Sequence, residues 1–137
     1  GTPVLAPLAG QAVHAVPCEA QGGGWGGWFV LRPDAPGASA AYLLLGHLAH
    51  RGLPATGQRI AQGAPVGTIG APEENGGWYP HLHLQALSAS SWQAVQHDPD
   101  TLLDGYACPA ADLPVRFLGW NQPASTGLTF VLIRSFS

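Results

Sequence analysis

The sequence contains no lysine and no methionine. Charge is scarce: five arginines stand against eight acidic residues, and only 9% of the chain is charged. Each absence narrows the possible functions. Without lysine there is no attachment point for biotin or lipoyl groups, no pyridoxal Schiff base and no P-loop lysine. A net charge of −3 with no basic cluster argues against nucleic acid as a partner, which needs a positive face. No apolar run reaches the roughly 18 residues that cross a bilayer, so no membrane span is expected. No signal peptide is visible at the start. A chain that begins at Gly1 without methionine is expected to be processed, or cut from a longer polypeptide. Cysteine is nearly absent as well. Cys18 and Cys108 are either paired or free, and two cysteines so far apart fix no redox compartment.

What is abundant points to β structure. The 137 residues include 19 Gly and 13 Pro, and 46% of them are apolar. Five Trp, four Phe and three Tyr, with a small net charge, separate this composition from that of disordered chains. Gly or Pro interrupts almost every ten-residue window up to Pro80, leaving short apolar runs that read as strands at 2–6, 12–16, 28–32, 40–45, 59–60, 65–69 and 81–87. Many short strands separated by close turns imply an all-β antiparallel sandwich or small barrel. The stretch 57–70 repeats Gly around Ile60, Val66 and Ile69, which suits a strand pair folded over a tight turn, with glycines at positive φ or at close backbone approaches. After Leu87 the character changes. Residues 88–95 suit a short helix or turn, 98–123 an irregular tail, and 128–133 a last strand. The expected organisation is a β domain over 1–87 and a C-terminal extension over 88–137 packed on it.

Three of the six histidines have a distinctive setting. His81-Leu82-His83-Leu84-Gln85 alternates, so on a strand His81, His83 and Gln85 share one face while Leu82 and Leu84 point to the core. One imidazole can then bind a metal while the other reaches a nearby water or substrate. The plainer alternative is a polar strand face that happens to carry two histidines. His47 follows Tyr42-Leu43-Leu44-Leu45-Gly46, at the end of an apolar strand where glycine allows a bend, and either faces the pair or lies in solvent. His14, His50 and His97 read as surface or capping residues. Trp78 and Tyr79, just before the pair, wall a cleft or cap the core. Trp25 and Trp28 line the same cleft or hold down a Gly-rich loop. Glu73 and Glu74 read as an exposed acidic turn.

In combination these segments resemble the lysostaphin/LytM-type zinc metallopeptidase domain. The opening residues 1–10 resemble that family's first strand, and Tyr42 to Leu48, with Gly46-His47-Leu48, resembles its Tyr-x-His-Leu region with extra spacing. The 57–70 stretch resembles its glycine-punctuated strand pair, and His81-Leu82-His83-Leu84 its His-Leu-His-Phe motif, with leucine for phenylalanine. The resemblance covers residues 1 to about 87. It implies a barrel-sandwich hybrid (duplicated hybrid motif) fold, zinc as cofactor, and peptide or peptidoglycan as substrate. It assigns His83 to zinc, and His47 and His81 to catalysis. The family's other two zinc ligands, in a His-x-x-x-Asp segment, fall before the stretch matched by Gly1, so they are expected upstream of it, or the protein is a degenerate member. The Asn75-Gly76-Gly77-Trp78-x-Pro80-His81 run also resembles a subset in which the domain lies between kinase-like and aminotransferase-like domains. A bacterial envelope or secreted location follows from the main family, and a cytoplasmic one from that subset. The leading expectation is a zinc-dependent endopeptidase. A non-catalytic binding or regulatory domain on the same scaffold is the alternative. A histidine phosphocarrier stands well below both.

Overall fold

Short strands form where apolar and β-branched residues run between glycine, proline and asparagine breaks. A computed structural model describes residues 1–17, 25–35, 41–75 and 77–97, and the backbone of 130–132. The described elements are β1 (Pro3–Leu5), β2 (Gly10–Val16), β3 (Gly27–Pro33), β4 (Tyr42–Leu48), β5 (Arg59–Ile60), β6 (Pro65–Thr68), β7 (Leu82–Leu87), α1 (Ala89–His97) and β8 (Phe130–Leu132). The described residues are therefore mostly antiparallel β-strands with one short helix. Cys18, Cys108 and the tail at 98–123 lie outside the described residues, as does most of the Gly-rich loop before Trp25.

All strand pairs are antiparallel. One sheet has the order β5-β2-β3-β4-β7-β8, and a second pairs β1 with β6. A single bridge, Leu48 to Ile69, ties the end of β4 to the end of β6. The described strands form no closed barrel. Contrary to the sequence expectation, β5 and β6 do not pair with each other: β5 adds to β2, and β6 to β1. The glycine between them, Gly63, takes φ 78° and turns the chain from one sheet to the other.

The large sheet is buried on both faces, which explains the near-continuous apolar character of β3 and β4. Phe29, Leu31, Leu43, Leu45, Leu84 and Ala86 pack with Val4 and Val66 of the small sheet and with Ala6 just after β1. The alternate residues Trp28, Val30, Leu44 and Leu87 face Trp92 and Val95 of α1. Ser88 starts that helix: its hydroxyl accepts from the Ser91 amide at 3.0 Å, as an N-cap does. Helix α1 thus covers the second face, and β8 extends the sheet beyond β7.

Candidate functional site

Alternation on β7 places Leu84 and Ala86 in the first core and His83, Gln85 and Leu87 on the opposite face. His83 and Gln85 share one face as the alternation implies, and that face is buried at both residues. His83 is 4% exposed and Gln85 is 3% exposed. His81 lies one residue before the strand instead of on it. His83 pairs with Gly46 across β4.

His47 reaches the same face by a different route. Between the pairs Phe29–Leu45 and Gly27–Leu48 stand Trp28 on β3 but both Gly46 and His47 on β4. Two residues against one is a β-bulge, which inverts the alternation at that point. In an unbulged strand His47 would point with Leu43 and Leu45 into the first core. Instead Leu48 takes that place, and the His47 ring lies 5.8 Å from that of His83. The bend that the sequence assigns to Gly46 belongs to His47, which has φ 59°. A non-glycine residue in the left-handed region is uncommon, and such residues cluster at functional sites. Its backbone is bonded outside the ladder: the amide donates to the Trp25 carbonyl at 2.8 Å, and its carbonyl accepts from Gly70 at 3.0 Å.

The three rings form one cluster. His47 and His81 centroids are 4.3 Å apart. Trp25 stacks on His47 at 5.7 Å and meets the His83 ring edge-on at 4.4 Å. Gly46 makes room for this indole, since a β-carbon there would lie 3.2 Å from Trp25 Cε3. Each histidine has one ring nitrogen tied down. His47 Nδ1–H donates to the Asn75 carbonyl at 2.9 Å, His81 Nδ1–H to the Tyr79 carbonyl at 2.5 Å, and His83 Nε2–H to Gln85 Oε1 at 3.0 Å. In the neutral rings this leaves lone pairs on Nε2 of His47, Nε2 of His81 and Nδ1 of His83. Burial lowers the His83 pKa to about 4, with the neighbouring His47 and His81 adding to the effect and the Gln85 bond opposing it. Burial also lowers the His47 pKa, partly offset by the Asn75 carbonyl and reinforced by His81. In their neutral form these preoriented imidazoles can accept protons or hydrogen bonds, or donate electron pairs to a Lewis acid.

The resemblance asks for zinc at this place. Catalytic zinc takes three protein ligands. His83 has a free nitrogen, but among the described residues no group of three or more His, Cys, Asp or Glu is placed to hold a metal ion.

Trp78 lies with its ring 6.3 Å from His47 and is 55% exposed. Tyr79 is 91% exposed and touches the cluster through its carbonyl. Trp28, expected to share the cleft or to hold down the Gly-rich loop, belongs instead to the second core beside α1. His14 is not a simple surface residue, because its ring lies 5.0 Å from Trp28 and 5.8 Å from Trp92. His50 donates from Nε2 to the Glu74 carbonyl. Glu73 is exposed, as expected of an acidic turn, and Glu74 is half-buried. His97 ends α1 in an exposed position. Sequence reasoning gave no role to Asn75 itself, which is fully buried at 0% exposure. An asparagine before two glycines signals a turn, and nothing local says that the turn is buried against a histidine.

No protein-family model matches the chain, and neither a curated protein nor a solved structure matches it. The described helix is too short to cross a membrane, and no described helix is long and apolar enough to do so.

Proposed function

We propose that the chain carries the histidine-bearing part of a peptide hydrolase resembling the lysostaphin/LytM-type zinc endopeptidases, with peptide or peptidoglycan as substrate. The observation that supports this is the convergence of His47, His81 and His83 from two strands and a loop, each with one nitrogen tied down and one lone pair free. His47 and His81 are the proton-handling groups in this reading: Nε2 of either ring takes a proton from an attacking water or returns it to a leaving amine. His83 is the electron-pair donor through Nδ1. The finer architecture, a barrel-sandwich hybrid, is part of the same proposal. It is supported by two antiparallel sheets enclosing one core.

Zinc content and cleavage of glycine-rich and stem peptides should be measured on the longest gene product that carries this sequence. About one zinc per chain is expected, with cleavage lost in His47→Ala and His81→Ala and zinc lost in His83→Ala. A protein that binds no zinc and cuts none of these peptides refutes the proposal. A second reading, non-catalytic peptide binding, draws on the exposed Trp78 and Tyr79 beside the cluster. It predicts peptide affinity without metal, lost in Trp78→Ala, and no cleavage under any condition.

A further inference from the structure

The turn that joins Gly70 to Trp78 is organised by one side chain. Asn75 Nδ2 donates to the Trp78 carbonyl at 2.8 Å and to the Gly70 carbonyl at 3.3 Å, and Oδ1 accepts from the Trp78 amide at 2.9 Å. Both ends of the turn are therefore held by the same amide group. The backbone adds to the clamp, since the Asn75 and Glu74 amides donate to the Ala71 carbonyl at 2.9 and 2.8 Å. The opposite side is closed by Gly26 at φ 62°, where a β-carbon would lie 2.5 Å from Asn75 Cα. The result is that the Asn75 carbonyl has a single direction, toward His47 Nδ1.

We propose that Asn75 is a positioning residue for His47: by clamping this turn it aims its own carbonyl at Nδ1, locks the Nδ1–H tautomer and presents Nε2 as the free base. A carbonyl oxygen only accepts, so it selects the ring nitrogen that carries the proton. An aspartate would not serve here, because its carboxylate oxygens would face the Gly70 and Trp78 carbonyls with no proton to donate. The same clamp fixes Trp78 relative to His47, since both are anchored on Asn75. The catalytic consequence rests on the peptide-hydrolase reading. The tautomer itself does not.

The test reads the tautomer directly, without zinc, substrate or turnover. Long-range proton–nitrogen spectra of the histidine rings are recorded at about pH 8, above the ordinary histidine range. The native protein shows His47 as Nδ1–H. In Asn75→Ala the ratio moves toward Nε2–H by about fivefold, the factor that one ordinary hydrogen bond supplies. His14, whose ring packs on Trp28 and Trp92, keeps its native signals. Gly26→Ala leaves the Asn75 side chain intact but displaces its backbone, and produces the same change at His47. Asn75→Asp keeps the acceptor for Trp78 and loses both donations. It gives an intermediate ratio, and it replaces Asn75→Ala if that variant does not fold, as judged by circular dichroism. A native His47 tautomer in a folded Asn75 variant overturns the assignment, whatever the peptidase assays report. Failure of peptide cleavage with the tautomer shift present overturns only the functional reading.

Discussion

Acid should destabilise this protein through His83, in a pH window set by burial. Its ordinary pKa of 6.5 falls to about 4 in the folded chain. Above pH 6.5 the ring is neutral in both the folded and unfolded states, and the full stability is present. As the pH falls below 6.5 the unfolded chain takes up a proton that the folded chain refuses, so stability declines. The decline ends near pH 4, where the folded ring is protonated too. A gap of that size corresponds to a loss of about 3 kcal/mol across the window, at 1.36 kcal/mol per unit. The assay is urea unfolding with a chelator present, at a series of pH values, for the native protein and for His83→Gln. Glutamine keeps a donor for Gln85 but does not titrate. Burial lowers the pKa of His47 and His14 as well, and both are present in the two proteins, so the difference between the two curves reports His83 together with its coupling to His47 and His81. A native-minus-variant difference that is flat from pH 7 to pH 4 would refute the burial argument.

Three further outcomes follow from the packing. Gly46→Ala sets a methyl 3.2 Å from the Trp25 ring, so the indole must shift by a few tenths of an ångström against the histidines, and a changed tryptophan emission is the expected readout. His47→Asn keeps a residue that tolerates the left-handed region, whereas His47→Val does not, so denaturant midpoints should place valine lower by about 1–3 kcal/mol. Trp92→Ala removes the side chain that seats α1 on the second core, and calorimetry should register a loss of about 3–5 kcal/mol while the His47 ring signals stay native.

The strands were legible because glycine and proline punctuate them. Arg59–Ile60 is found as expected, and the remaining strands differ at their ends by a few residues. The largest extension is at β4, where the strand runs through Gly46 and His47 to Leu48 because the bulge lets pairing resume beyond them. The phase of His83 and Gln85 was legible from alternation, but their burial was not. The burial of His83 depends on Trp25, which arrives from a distant part of the chain. Likewise the 57–70 rhythm located β5 and β6 and the glycines at positive φ, and it misassigned their partners. Strand pairing is a non-local choice, decided by which apolar faces meet across the core.

The amino-acid sequence by itself determines the all-β class, the turn positions and the candidate histidines, because these follow from local backbone preferences and period-two alternation. Only the tertiary structure decides that His47 joins His83. A one-residue bulge against Trp28 inverts the face, and no pattern within β4 announces it, because the extra residue is defined only by the partner strand. The tautomers are decided at the same level. They depend on which carbonyl or amide oxygen each ring meets, and for His47 that oxygen belongs to a buried asparagine 28 residues away.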